Sequence, residues 1–214
     1  YKKTLLNYLC GTLKKENPVG FGGYEKTTNI DKSVFNGYIP EVTESWINFE
    51  GIVPYKDKIV LYGGFIDTNN NDRGLIIVCN SDFTPKKTYY TYENGTYLRY
   101  VQQLNVTADG MFYMIDSVQY TPATPGEGEK RLVLLNNFIS NNKLNLQKSY
   151  IFPQDYRNFY AQKIFKDENS GNYVFIGLKD TEIGWNLKVI HFKTTVGQPD
   201  EWRTWEADTN TAWL

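Results

Sequence analysis

The chain of 214 residues is long enough for one large domain or two small ones, with ample length to bury a core. Its 23 basic and 24 acidic residues leave a formal net charge of −1, and no basic cluster interrupts the sequence, so the electrostatic footprint of a nucleic-acid-binding protein is missing. No run of eighteen apolar residues occurs, so the sequence encodes no membrane-spanning helix.

Aromatic residues make up 16% of the chain, and 17 of them are tyrosines, a residue favoured where the ring is dry and the hydroxyl wet, as on a sheet with one solvated side. The chain begins at Tyr1 without Met and without a basic, apolar, small-residue leader, the pattern expected of a trimmed product or a fragment. Cys10 and Cys79 lie far apart and are predicted to be separate buried thiols rather than a disulfide. Asn94-Gly-Thr and Asn105-Val-Thr match the glycosylation acceptor pattern, which bears only on a eukaryotic secretory route.

In chain order, residues 1–45 stand apart from the rest. Leu5, Leu6, Leu9 and Leu13 fall near helical spacing and predict a short amphipathic helix, with an edge strand as rival because Gly11 weakens the pattern. Asn17-Pro-Val-Gly-Phe-Gly-Gly23 and Asn36-Gly-Tyr-Ile-Pro40 place Gly and Pro too densely for a regular element, so this region reads as an irregular lead-in. Its Gly-Phe-Gly-Gly lacks the Lys-Ser/Thr and the helix pattern of a phosphate cradle, and reads as a loop.

Residues 46–214 read as a repeat domain of three units, about 46–97, 98–158 and 159–206. Period-two alternation and turn residues predict strands at 49–53, 58–63, 75–79 and 87–92 in the first unit; 100–105, 111–116, 132–136 and 146–152 in the second; and 159–165, 173–177, 187–192 and 201–206 in the third. Tyr62, Met114 and Ile176 align the units at spacings of 52 and 62 residues, and Tyr89, Tyr150 and Trp205 at 61 and 55. A repeat of about 50–60 residues with four strands is the signature of a β-propeller blade. Central segments such as Leu75-Ile-Ile-Val-Cys79 are apolar at consecutive positions, as stacking on both faces requires. The predicted fold is therefore all-β and propeller-like, with three blades visible and more needed to close a ring; a β-sandwich is the alternative.

The chemistry is sparse. His191 is the single histidine and alternates within a predicted strand, so it reads as a sheet residue rather than a general base, and no Gly-x-Ser-x-Gly elbow accompanies it. One His and two scattered Cys are too few for a zinc site of those ligands. Asp67-Thr-Asn-Asn-Asn-Asp72 has oxygen donors at alternate positions but lacks the glycine and the distal Glu of a calcium loop, and reads as a solvated hairpin loop. Thr121-Pro-Ala-Thr-Pro-Gly-Glu-Gly-Glu-Lys130 is a long polar insertion, either a recognition loop or a tolerated one. Glu50, Asp67, Asp116 and Glu182 are the carboxylates open to a glycosidase that uses an acid and a base, though no neighbour marks them and sialidase-type boxes are missing. No catalytic, cofactor-binding or metal-binding residue is assigned, and no cofactor is expected. The aromatic residues are read chiefly as packing between blades, with stacking platforms for sugar rings as the other use.

Asp109-Gly-Met-Phe-Tyr-Met-Ile-Asp116, Arg131-Leu-Val-Leu-Leu-Asn-Asn-Phe138 and Leu146-Gln-Lys-Ser-Tyr-Ile-Phe-Pro153, followed by Tyr156-Arg-Asn-Phe-Tyr160, resemble segments of tail and baseplate proteins from phages and prophages of Gram-positive bacteria. The similarity covers about residues 46–206 and lies in strand cores, so it transfers no functional residue. The resemblance implies a non-enzymatic virion protein, made in a bacterial cytoplasm, that assembles with other tail proteins as a homo-oligomer and contacts host cell-wall polysaccharide. A glycosidase on a propeller scaffold and a purely architectural virion part are the alternatives.

Overall fold

The computed structural model describes residues 47–117, 129–156, 159–167, 169–181, 184–193 and 201–205, of which 179–181, 184–187, 191 and 201–205 are described as backbone alone. Three antiparallel four-stranded sheets account for most of them. The first holds β1 (Ile47–Tyr55), β2 (Lys58–Ile66), β3 (Asp72–Asn80) and β4 (Pro85–Tyr89) in that order. The second holds β5 (Tyr100–Val106), β6 (Phe112–Ser117), β7 (Lys130–Leu135) and β8 (Leu146–Ile151), and the third β9 (Phe159–Lys166), β10 (Tyr173–Thr181), β11 (Gly184–Lys193) and β12 (Glu201–Trp205). All twelve overlap the strands read from the sequence. The largest difference is the β10–β11 hairpin, which continues through Lys179, Asp180 and Asn186, polar residues that end the apolar pattern but not the pairing. One element was not foreseen: α1 (Phe138–Asn141), a single turn capped by the Asn137 side chain, which accepts from Ser140 N at 3.2 Å and seats the buried Phe138.

Alternation along the central strands builds two cores between sheets. Phe112 and Met114 of β6, with Val133 and Leu135 of β7, pack against Val60, Tyr62, Ile76 and Tyr89 of the first sheet. Tyr113 and Ile115, from the other side of β6, join Leu132 and Tyr150 against Phe159, Phe175, Ile190 and Phe192 of the third sheet. Each such apolar side chain contributes about 1.5–3 kcal/mol by leaving water. Aromatic pairs close both cores, with Phe112 and Phe138 centroids 4.4 Å apart in the first and Phe152 and Phe175 5.1 Å apart in the second. Ile59, Leu61, Leu75, Ile77 and Cys79 form a third cluster on the other face of the first sheet. Cys79 is a free buried thiol, pushed up to about 12 by burial, which agrees with the thiol reading for this residue; Cys10 lies outside the described residues.

Each sheet also has the same irregularity at the same place. In β1, Phe49 pairs with Gly63 and Gly51 with Tyr62, which leaves Glu50 as an extra residue. In β5, Val101 pairs with Asp116 and Gln103 with Ile115, leaving Gln102; in β9, Ala161 pairs with Gly177 and Lys163 with Ile176, leaving Gln162. These bulges fix the equivalence of the units. The matched rows are Tyr62, Ile76 and Tyr89; Ile115, Leu132 and Tyr150; and Ile176, Val189 and Trp205. Tyr89, Tyr150 and Trp205 were thus correctly aligned from sequence. Met114 was one residue out, and its place belongs to Ile115. The physical reason is that both faces of β6 are apolar, so hydrophobic pattern does not penalise a one-residue slip.

The predicted lead-in at residues 1–45 and its helix lie outside the described residues, as does most of the polar insertion, residues 121–128.

Candidate functional site

The turn from β2 to β3 is built by one carboxylate. Asp67 Oδ1 accepts from Asn69 N at 2.9 Å and from Asn71 N at 2.8 Å, and its Oδ2 accepts from Arg73 Nε at 2.8 Å. Hydrogen bonds from the Asn71 backbone, and then from Arg73 and Asn69, hold this carboxyl below the usual range. The oxygen-rich pattern that resembles half a calcium loop is accounted for as a capped hairpin turn.

The segment joining β4 to β5 lies beside that turn. Gly74 N donates to Leu98 O at 2.9 Å, and a Cβ at Gly74 would lie 1.9 Å from Arg99 O, so only glycine permits this approach of two backbones. The approach sets Tyr97 against Arg73, whose guanidinium carbon lies 4.0 Å from the ring centroid. Tyr97 is 40% exposed, unlike the tyrosines of the cores.

Together these segments enclose a cleft of about 550 Å³ between the first and second sheets, lined by Asn70, Asp72, Arg73, Thr96, Tyr97 and Arg99. Tyr100 and Ser117 complete its wall. Asp72 has its carboxyl raised, first by burial and then by the charge of Asp67. Arg99 Nη1 donates to Glu129 Oε1 at 2.6 Å. Glu129 lies 3.8 Å from Arg131 Nε, and Arg131 holds Asp116 in a two-pronged pair, Nε to Oδ1 at 3.1 Å and Nη2 to Oδ2 at 2.8 Å. Asp116 is fully buried, and burial pushes its carboxyl up while the guanidinium opposes the shift. This chain of charges props the cleft wall from behind.

A second polar cluster shares Tyr100. Its hydroxyl donates to Glu50 Oε1 and accepts from Asn48 Nδ2 at 2.6 Å, and Asn48 Nδ2 also reaches Glu50 Oε1 at 2.6 Å. Burial, then the bond to Glu50, raises the Tyr100 hydroxyl well above its ordinary value. Tyr160 is raised by burial and by the same carboxylate. Asn48, Tyr100 and Tyr160 each stand two residues before the bulge of their strand, so one equivalent position of the repeat is brought together from the three sheets.

The four carboxylates singled out from sequence are thus dispersed. Glu50 sits on a bulge, Asp67 caps a turn, Asp116 is a buried ion-pair partner, and Glu182 lies outside the described residues. His191 is in β11 between Val174 and Arg203, a sheet position as expected. The Asn105 side chain donates to Ile164 O at 2.9 Å, tying β5 to β9. Sequence reasoning did not find Asp72, Arg73, Tyr97 or Arg99. The available signal was Gly74 directly after Asp72-Arg73, a strand glycine that marks close backbone approach.

No protein-family model matches the chain, and no curated protein is significantly similar to it. Among the described residues no group of three or more His, Cys, Asp or Glu is placed to hold a metal ion, and no helix is long and apolar enough to cross a membrane.

Proposed function

We propose that the three sheets are successive blades of a β-propeller, and that the protein is a phage tail or baseplate component that binds host cell-surface carbohydrate in the cleft between its first two sheets. Several features support the propeller. Each sheet is a sequential four-stranded meander, there are three such sheets where a sandwich has two, and the first strand of each sheet contacts the first strand of the next. In that arrangement β1, β5 and β9 are the inner strands, and Asn48, Glu50, Tyr100 and Tyr160 gather at the axis.

The observation that carries the binding role is the composition of the cleft: an exposed Tyr97 with a guanidinium stacked on it, faced by amide, carboxylate and hydroxyl groups. A flat aromatic wall beside convergent polar groups suits a sugar ring, which is apolar on one face and polar at its edge. The virion assignment rests on the resemblance of the strand motifs to tail and baseplate proteins. Weak single sites repeated on a symmetric particle give avidity without a deep pocket.

The test is a pull-down of the purified chain on Gram-positive cells and on isolated wall polysaccharide, with released sugar assayed in the same tubes. Saturable binding without release, lowered at least tenfold by Tyr97→Ala, is the expected result. Release of sugar, abolished by Asp72→Asn, would replace this reading with a glycosidase. A folded chain that neither binds nor releases would leave an architectural role.

A further inference from the structure

We infer that the Glu50 carboxylate, where the first strands of the three sheets meet, anchors a second site that takes a primary ammonium group carried on a small amine or an amino sugar. The site shares Tyr100 with the cleft but does not depend on what the cleft binds. Oε1 of Glu50 is held by two uncharged donors, the Tyr100 hydroxyl and Asn48 Nδ2, the latter at 2.6 Å. Oε2 makes no hydrogen bond, and no lysine or arginine pairs with this carboxylate, among the described residues. The bulge itself does not ask for the charge. The extra residues at the same bulge in the second and third sheets are Gln102 and Gln162, neutral isosteres of glutamate. An amide therefore suits that backbone, and of the three sheets only the first sets a negative charge there. A partly buried carboxylate without a cation costs free energy that the amide would spare, and an arriving cation recovers it.

The surroundings decide which cation. A Cβ at Gly64 would lie 2.3 Å from the Tyr100 ring, and one at Gly51 2.0 Å from the Tyr62 hydroxyl, so both buried tyrosines occupy room that a side chain would take. Tyr160, brought in by β9, is 47% exposed, and its hydroxyl makes no hydrogen bond among the described residues. After burial, the charge of Glu50 is what raises the Tyr160 hydroxyl, and it also raises that of Tyr62; no described cation offsets it at either. A free carboxylate oxygen and a free phenol oxygen beside aromatic rings suit an ammonium, whose N–H groups need acceptors and whose charge is drawn to ring faces. A divalent metal ion is a poorer match, because it needs several hard oxygens at once, and among the described residues no group of three or more His, Cys, Asp or Glu is placed to supply them.

The experiment is an amide chemical-shift titration of the full chain with ethanolamine, with glucosamine, with calcium chloride, and with N-acetylglucosamine as the neutral counterpart of the amino sugar. Both amines are expected to shift Glu50 and Tyr160 saturably and to bind more weakly as salt is added, while N-acetylglucosamine leaves those two residues unmoved. Tighter binding of glucosamine than of ethanolamine would assign the ammonium to a sugar, and equal binding would assign a bare ammonium site. Glu50→Gln, which installs the residue of the other two bulges, should lower amine affinity roughly tenfold without lowering the urea midpoint. Tyr97→Ala should leave amine affinity unchanged. Amine binding indifferent to Glu50→Gln, or shifts at Glu50 and Tyr160 that calcium produces and the amines do not, would overturn the inference. So would a folded chain that binds neither amine. Amine binding lost in Tyr97→Ala would place the amine in the cleft, overturning this site while leaving the carbohydrate reading intact.

Discussion

The first and third sheets and the second sheet carry the same bulge but accommodate it differently. In the outer two, the residue beside the bulge is Gly63 or Gly177, and a Cβ there would lie 1.9 Å from Asn48 O or 2.0 Å from Tyr160 O. The glycine lets the carbonyl of the bulged strand settle against its neighbour. In the second sheet the matching residue is Asp116, opposite Val101, with its carboxylate fully buried on Arg131. Among the described residues the four buried polar or charged ones, Thr107, Asp116, Ser117 and Lys130, all belong to the second sheet or its first turn. The repeat is a property of the backbone. The sheet that departs from it stands behind the cleft, where the local rule gives way to a network that holds Arg131, Glu129 and Arg99 in place.

The strongest way to break this contrast is Asp116→Ala, which leaves the partly buried Arg131 guanidinium with only the more distant Glu129. Urea unfolding should show a loss of about 3 kcal/mol, the low end for breaking a buried pair. Asp116→Gly combined with Arg131→Leu, which installs the first sheet's own pairing of Gly63 with Leu75, should recover most of it; a single variant as stable as the parent would mean the pair does not support the fold. Next comes Gly177→Ala. The nearest atom in its way is the Tyr160 carbonyl oxygen, which is backbone and cannot swing aside, so the expected loss is about 1–3 kcal/mol, with the bulge shifted in the amide chemical shifts of β9. An unchanged midpoint would show that the bulge does not need glycine.

The smallest effect concerns the second sheet's other buried charge. Lys130 donates to Phe159 O, and burial pushes its ammonium down to about 8. In the unfolded chain it titrates near 10.4, so below pH 8 both states carry the charge and the folded state bears the full penalty. As pH rises from 8 towards 10 the folded state releases its proton first. Lys130 alone should raise stability by on the order of 1–2 kcal/mol over that window. From about pH 9 the sign begins to reverse, because Cys79, Tyr62 and Tyr89 are pushed up to about 12 by burial while an unfolded thiol ionises near 8.5 and unfolded tyrosines near 10. Denaturant midpoints from pH 7 to 11 should therefore pass through a maximum, and Lys130→Met should remove the rising limb but keep the falling one.

How much of this was legible follows from where each signal resides. The strands were legible because Leu75, Ile76 and Ile77, or Leu132 and Val133, are covered on both faces and leave uninterrupted apolar runs. That same two-sided burial hid the register, since Met114 faces one core and Ile115 the other and both are apolar. The cleft was less legible still. Its wall comes from a turn, Asn70 to Arg73, and a connection, Thr96 to Arg99, each polar enough alone to read as solvated loop. What unites them is one backbone contact at Gly74, and a contact between segments more than twenty residues apart has no local signature.

The order of the strands has a consequence for how the chain acquires its shape. Within each sheet every strand pairs with the one just before or after it in sequence, so the pairings that must form are local and the entropic barrier to forming a sheet is low. A ribosome extruding this chain releases the four strands of one sheet before the next begins. Each finished sheet then presents an apolar face that its successor covers, and assembly proceeds as a relay of nearest neighbours rather than a single global collapse.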